Sequence, residues 1–211
     1  MSEWWTYRPA DLLMFSARSY ARLFELHHAA LWPAQALALV FGVAVAVLVW
    51  RRHPQAHRLA LAGLALGWAA VAVLFHLQRY AAIQTAAPWF AAGFGAQGLL
   101  MLGAAWRGAA SGGVRRRVGF GLIGLAAIGM PLLGLALGRP PGQLECIGLT
   151  PDATVVATLG ALLLVRAPWA WPIPLAWVAI GATTLWTLAS PDWWWMPAAA
   201  VVTLVAAQNR K

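Results

Sequence analysis

Long apolar runs, separated by short polar stretches, make up most of the chain. Seven of them follow residue 29 and cover 30–50, 59–78, 88–106, 118–138, 151–165, 168–188 and 193–207. A helix needs about 20 apolar residues to cross about 30 Å of hydrocarbon, and most of the runs are near that length. The fifth and seventh would reach only about 23 Å, which is typical of tilted or broken helices. The pattern predicts an all-α fold, a polytopic transmembrane helix bundle of about seven spans, with six spans and one re-entrant segment as the alternative.

The segment before the first run has a different pattern. Its apolar side chains are Leu12, Phe15, Tyr20, Leu23 and Phe24, and its polar ones are Ser16, Arg18, Arg22 and Glu25. Such a distribution is typical of an amphipathic helix that lies in the headgroup region of a membrane. We therefore expect two domains, an N-terminal amphipathic interfacial helix at 1–29 and a transmembrane helical domain at 30–211. No cleavable signal peptide is expected, because Glu3 and Asp11 replace the basic start of such a segment.

Composition agrees with a membrane protein. Hydrophobic residues make up 62% of the chain and charged residues 10%, with a mean hydropathy of +0.69. Soluble domains contain about 45–50% apolar residues. The basic residues form short clusters between apolar runs, which is the pattern that sets membrane topology, so nucleic acid is not an expected partner. The expected partner is the lipid bilayer, and a second membrane protein or another copy of the chain is a further option.

The charges also orient the predicted bundle. With the N-terminus outside, ten of the 15 Lys and Arg residues fall in inner segments and all six acidic residues fall in outer ones. Cytoplasmic loops usually carry the excess of Lys and Arg. We therefore expect the N-terminus outside and the C-terminus in the cytoplasm, and this separation of charge favours seven spans over six. The inner cluster Arg115, Arg116 and Arg117 is expected to contact anionic lipid headgroups.

Two segments have the sequence of a helix start. Thr150-Pro151-Asp152 and Ser190-Pro191-Asp192 each place a hydroxyl at the N-cap, Pro at the first helical position and an acid in the first turn. We interpret both acids as compensating the helix dipole, with ligand binding as the alternative.

The candidate site lies near the outer ends of the first two spans. His76 is within about one turn of the end of the second run, and an ionisable group at membrane depth is a functional candidate. Antiparallel packing would bring it level with His28 and Gln35, beside Glu25. These four residues are the expected ligand or ion site, for a divalent metal or for a proton. The alternative is structural, with His76 hydrogen-bonded to backbone and Glu25 paired with Arg22.

No catalytic residue is nominated, because the chain has no nucleophile elbow, zinc-protease helix, phosphate loop or dinucleotide fingerprint in a valid context. The single cysteine, Cys146, excludes an intramolecular disulfide and a cysteine-based zinc site. The content of metal or cofactor stays open.

A family resemblance rests on motifs spread along the chain. They are 32–35, His76 with Ile83, Ala86 and Ala87, and the segments 131–134, 148–151, 154–164 and 174–177. In these the chain resembles the bacterial family known as domain of unknown function 6064, over nearly its whole length and in order. The resemblance implies a multi-pass protein of the bacterial inner (plasma) membrane and no established activity. Where the family tends to have Tyr-Asn, Asn-Pro and Thr-Pro-Cys-Pro, this chain has His27-His28, Gln84-Thr85 and Thr150-Pro-Asp-Ala, so only His76 would carry over to a metal site shared by the family.

Three functions from different classes remain open. Transport of a small solute or ion is favoured by the short fifth and seventh runs and by Gln35 and Gln97 within apolar runs. A non-catalytic accessory subunit of a larger membrane complex is favoured by the many Gly and Trp residues and the short loops. An integral membrane enzyme is the third, and the absence of a catalytic motif makes us lean away from it.

Overall fold

The computed structural model describes residues 13–109 and 112–209, and this part of the chain is all-helical, as predicted. Its α-helices are α1 (Ala17–Leu31), α2 (Ala34–Trp50), α3 (Ala56–Ala70), α4 (Ala87–Ala105), α5 (Gly113–Gly124), α6 (Met130–Ala136), α7 (Pro151–Leu162), α8 (Pro172–Thr187) and α9 (Trp195–Gln208). A π-helical segment, Val71–Leu77, extends α3, and another, Leu125–Gly129, joins α5 to α6. Short 3-10 turns occur at Tyr80–Ala82, Pro141–Gln143 and Pro168–Ala170.

The predicted amphipathic segment forms α1. Ser16 caps this helix, because its hydroxyl accepts a hydrogen bond from the backbone N–H of Ser19 at 3.2 Å. One face is buried and carries Leu23, Phe24, His27 and His28. The chain then turns by 91° into α2. Residues 1–12 of the predicted segment lie outside the described part.

Helix α7 is the centre of the fold, since every residue from Pro151 to Leu162 is buried. It packs against α3, α5, α8 and α9. Its residues are apolar all round, which is the pattern of a buried helix, except for Asp152, Thr154 and Thr158. The two threonine hydroxyls donate to the carbonyls four residues before them, at 2.6 and 2.8 Å, and Thr158 also accepts from the indole N–H of Trp68. Both threonine hydroxyls are therefore satisfied without water.

Two glycine pairs allow the close approach around α7. A Cβ added to Gly119 of α5 would lie 2.7 Å from the carbonyl oxygen of Gly160, and one on Gly160 would lie 2.8 Å from that of Gly119. Before α7, Gly148 has φ +76° and lies against Gly67 of α3, where an added Cβ would come within 2.8 Å of the Gly148 Cα. Backbones meet at both places, so larger residues would separate the helices.

Two helical stretches of the described chain are long and apolar enough to cross a membrane, Ala56–Ala82 and Gly113–Ala136. The bent pair α1 and α2 makes a third if it forms one span, while α7 and α9 are shorter apolar helices. Length and composition of the helices thus identify fewer spans than the seven apolar runs predict.

The predicted helix start at Ser190 is wrong. Residues 191–194 form turns, and α9 begins only at Trp195. The hydroxyl of Ser190 donates to the carboxylate of Asp192 at 2.6 Å instead of capping a helix. This bond, and the ion pair described below, hold the segment in a non-helical turn.

Candidate functional site

Three of the four predicted site residues line one groove. Glu25, His28 and Gln35 lie along a cavity of about 530 Å³ between α1, α2 and the loop at 141–147. Glu25 accepts hydrogen bonds from Arg22 at 2.7 Å and from the Gln143 amide at 2.8 Å. The amide N–H of Gln35 donates to the backbone oxygen of His28 at 2.6 Å. The turn between α1 and α2 places these three side chains at one groove.

His76, the fourth, lies elsewhere. Its side chain is 0% exposed and is enclosed by aromatic rings with centroids 4.5–6.0 Å away, those of Phe75, Tyr80, Phe90, Phe94 and Trp177. Neither ring nitrogen has a hydrogen-bond partner among the described residues. His76 therefore has no hydrogen bond to Glu25, to His28 or to the backbone in this part of the chain. The neighbours of its ring come from α4 and α8 as well as from residues 75 and 80.

Metal binding gains no support from the described side chains. No three His, Cys, Asp or Glu residues within 13–109 and 112–209 are placed to hold a metal ion together. His27, rather than His28, contacts the π-helical extension of α3, with its ring 5.3 Å from that of Phe75. Its Nε2 donates to the carbonyl of Leu149 at 2.9 Å. A ligand role for Glu25, His28, Gln35 and His76 stays a prediction.

A second constellation lies at the start of α7, where the sequence predicted that Asp152 compensates the helix dipole, with ligand binding as the alternative. Thr150 is the N-cap residue, but its side chain makes no cap hydrogen bond. Glu145 takes over this function, because its Oε2 accepts from the Ala153 N–H at 3.2 Å and from the Thr150 hydroxyl at 2.5 Å. The positive φ of Gly148 helps turn the intervening loop back, so that a residue five positions before the N-cap reaches the first helical turn.

Asp152 is the second acid of this constellation and is 3% exposed. Its Oδ1 accepts from the indole N–H of Trp177 in α8 at 2.8 Å. Gly181 provides the space, since a Cβ there would lie 3.1 Å from the same oxygen. Among the described residues, the other oxygen of Asp152 and the Oε1 of Glu145 have no hydrogen bond, and neither carboxyl has a salt bridge. Glu145 is half-buried. Two carboxyls with so little exposure and no ion pair are costly to keep ionised.

Both carboxyls line a cavity of about 230 Å³, which we call the acid cavity, together with Tyr20, Arg139 and Asp192. Arg139 pairs with Asp192 at 2.7 Å and donates to Ser190 at 3.0 Å. The Arg139 guanidinium is therefore paired with Asp192 and not with Glu145 or Asp152.

The electrostatics of these acids differ accordingly. Burial raises the pKa of Glu145 well above its ordinary value, the neighbouring Asp152 charge raises it further, and the bonds from Thr150 and Ala153 only partly offset this. Burial also acts on Asp192, but the hydrogen bonds and charge of Arg139 and the Ser190 hydroxyl hold its pKa below the usual range. The carboxyl of Glu145 thus tends to keep its proton, whereas that of Asp192 ionises readily.

The arginine cluster, Arg115, Arg116 and Arg117, lies at the opposite end of α7 from the acid cavity. Arg115 donates to the carbonyls of Leu163 and Val165 at 3.2 and 3.1 Å, just after α7. Arg116 donates to those of Val49 and Trp50 at 3.1 and 3.2 Å, at the end of α2. These bonds satisfy helix C-terminal carbonyls that lack an intrahelical partner. Arg117 is exposed. The contact of the cluster with lipid headgroups stays a prediction.

The model of one protein family, described as a family of unknown function (DUF6064), matches residues 17–211. The chain belongs to this family. No curated protein and no solved structure matches it.

The DUF6064 match starts at the first residue of α1 and runs to the end of the chain. It therefore includes the groove, the acid cavity and the arginine cluster. The resemblance noted from the sequence is confirmed, and the description of the family assigns no activity to any of these sites.

Proposed function

We propose that the chain is a multi-pass integral membrane protein of the bacterial inner membrane that transports a small solute or ion in a proton-linked manner. The observation that carries this proposal is the pair Glu145, half-buried, and Asp152, buried, which line one cavity and have no salt bridge among the described residues. Ionisable groups at membrane depth serve as proton relays and ion sites in pumps and transporters. Two carboxyls that share a site favour a state with one proton between them.

The proposed architecture has seven spans. They are α2, α3 with its π-helical extension, α4, α5 joined to α6, α7, α8 and α9. Helix α4, with 19 residues, rises about 28 Å, which is near the hydrocarbon thickness. Helix α7 has only 12 residues but is surrounded by other helices, as a short helix beside a transport site can be. Large apolar side chains exposed on the outer faces, such as Leu66 at 73% and Leu99 at 71%, support contact with lipid.

The proposed orientation places the acid cavity outside and the arginine cluster in the cytoplasm. The described acids Glu145, Asp152 and Asp192 line one cavity, and Arg115 and Arg116 lie at the opposite end of α7. This separation of charge supports the N-terminus outside and the C-terminus inside. In a Cys146→Ser background, a thiol reagent that does not cross membranes should label Gly142→Cys in intact cells and should not label Gly112→Cys. Labelling of both positions from the same side would refute the orientation.

The transport proposal is tested by electrical recording from proteoliposomes on a solid support. A rapid pH jump should produce a transient charge displacement as protons bind the carboxyl pair. The double variant Glu145→Gln with Asp152→Asn should lose this transient, and the control Glu25→Gln should keep it. An equal transient in the double variant would refute the proton site.

Solute gradients applied to the same liposomes address the transport step. A sustained current that depends on the protein and on pH identifies a transported solute. If a broad panel of ions and neutral solutes gives none while the pH transient persists, the protein binds protons but does not transport those solutes.

A second candidate function, an accessory subunit of a membrane complex, is favoured by glycines that face open space. Gly121 and Gly124 on α5 have no atom within 4 Å of an added Cβ. Two glycines spaced in this way let a helix of another protein approach closely. Purification in mild detergent separates the two functions, because a subunit would retain a partner in fixed stoichiometry and a transporter would be monodisperse alone.

A further inference from the structure

The groove next to α1 has apolar walls and a polar end. Its walls are formed by Ala29, Ala36, Leu39, Ala127, Leu144 and Ile147. Glu25, His28, Gln35 and Glu145 supply its charged and amide side chains. A volume of about 530 Å³ falls within the range of about 300–1,000 Å³ that is typical of small-molecule sites.

Buried polar atoms of the groove lack partners in the part of the chain that the structure describes. The amide nitrogen of Gln35 is fixed by the carbonyl of His28, and its Oε1 is buried without a hydrogen bond from residues 13–109 or 112–209. His28 is 4% exposed, and neither of its ring nitrogens has a partner among the same residues. The backbone of Gly142 approaches the His28 ring without reaching hydrogen-bond geometry. Orphaned buried groups of this kind are uncommon in folded proteins and indicate a missing partner.

These atoms define the chemistry of that partner. Gln35 Oε1 can only accept a hydrogen bond, whereas a neutral imidazole offers one donor and one acceptor. A hydroxyl both donates and accepts, so it can donate to Gln35 Oε1 and accept from the ring N–H of His28. A carboxylate would lie near the Glu25 carboxylate and would be repelled, and an ammonium could not accept from the imidazole N–H.

We propose that this groove binds a long-chain alcohol, with its hydroxyl between Gln35 and His28 and its chain along the apolar walls. Glu145 lines both this groove and the acid cavity. The bound alcohol and the carboxyl pair therefore share one side chain. That the alcohol is the transported substrate rests on the proposed function, while its binding does not.

Binding is measured with radiolabelled 1-dodecanol and the full-length protein in phosphatidylcholine nanodiscs, with empty nanodiscs as the blank. We expect saturable binding of one molecule per chain. Dodecyl methyl ether has a similar chain but can only accept hydrogen bonds, so it should compete about tenfold more weakly, the factor that corresponds to one hydrogen bond.

Variants separate the polar end from the apolar walls. Gln35→Leu should weaken dodecanol binding about tenfold and leave the ether unchanged, so that the preference between them disappears. The matched control Gln78→Leu replaces an exposed glutamine outside the groove and should keep the full preference. Ala36→Phe should fill the groove and reduce binding of both compounds. Size-exclusion profiles establish that each variant is folded.

Equal competition by the ether and the alcohol in the wild type would overturn the proposal, because it would show a non-selective site for lipid chains. Tighter binding of dodecylamine or of laurate would overturn it as well. If the wild-type protein gives the pH transient but does not prefer dodecanol to the ether, only this inference is refuted. If it prefers dodecanol but gives no pH transient, only the proposed function is refuted.

Discussion

Both ends of α7 have backbone groups without a partner within the helix, and side chains of opposite charge bind them at the two ends. At its N-terminus the carboxylate of Glu145 accepts from a free backbone N–H, and at its C-terminus Arg115 donates to free carbonyls. The solutions differ in their dependence on protons. A guanidinium stays charged at any physiological pH, whereas the half-buried carboxyl of Glu145, next to that of Asp152, does not. The cap formed by Arg115 therefore does not depend on pH in this range, whereas protonation changes the charge of the cap formed by Glu145.

The largest loss of stability should come from removing the Arg115 cap at the C-terminal end of α7. Arg115→Met keeps the bulk of the side chain but leaves the carbonyls of Leu163 and Val165 without their donor. We expect a loss of about 2–3 kcal/mol in the free energy of unfolding, measured by titration with SDS in mixed micelles. Arg117→Met is the matched control, because Arg117 is exposed and its replacement should change stability by less than about 0.5 kcal/mol. Equal effects of the two variants would contradict a capping role for Arg115.

Removal of the acid cap should cost somewhat less. Glu145→Ala leaves the Ala153 N–H and the Thr150 hydroxyl without their acceptor, and this should cost about 1–2 kcal/mol in the same titration. Glu145→Gln retains a carbonyl oxygen as acceptor and should lose less. A glutamine variant as unstable as the alanine variant would show that charge, rather than the hydrogen bonds, maintains the cap.

The acid end should also make stability depend on pH. Because the folded-state pKa of Glu145 is raised, the folded protein binds more protons than the unfolded chain above the ordinary value of about 4.3. Its contribution is fully present below that value and is lost as pH rises through the raised pKa. Thermal unfolding of wild type and Glu145→Gln across this range measures the difference. The lowered pKa of Asp192 has the opposite sign, so its contribution is lost only when pH falls below the usual range of an aspartate.

The smallest effect is expected at the exposed ion pair of α1. The side chains of Arg22 and Glu25 are 65% and 32% exposed, so Arg22→Gln should change stability by less than about 0.5 kcal/mol. Arg139→Gln breaks a pair with exposures of 25% and 12%, so it should cost more. If both variants had equal effects, burial would not distinguish the two pairs.

Much of the fold could be predicted from the chain alone. The apolar runs predict the all-helical structure, and Thr150-Pro151 marks the start of α7 correctly. The same logic fails at Ser190-Pro191, because Asp192 pairs with Arg139, more than 50 residues away in sequence. No local pattern contains that contact. Helix starts are thus predictable where the first turn is satisfied locally.

The candidate site shows the same limit. Glu25, His28 and Gln35 lie within eleven consecutive residues, so a turn between two helices was enough to bring them to one groove. The neighbours of His76 come instead from α4 and α8, which antiparallel packing of the first two spans does not specify. Glu145 was missed for a related reason, since its role depends on the backward turn at Gly148. An acid a few residues before a Thr-Pro-Asp helix start, with a glycine between them, is the signal that would have identified it.

The complete burial of α7 has a consequence for biogenesis in the proposed topology. A segment of 12 residues that carries Asp152 and three threonine hydroxyls within or beside it is a poor substrate for insertion on its own. Helices α3 and α5 precede it during synthesis, whereas α8 and α9 follow it. Its final position can therefore be completed only when the last two helices have emerged from the ribosome. The C-terminal third of the chain should enter the membrane as one cooperative unit rather than helix by helix.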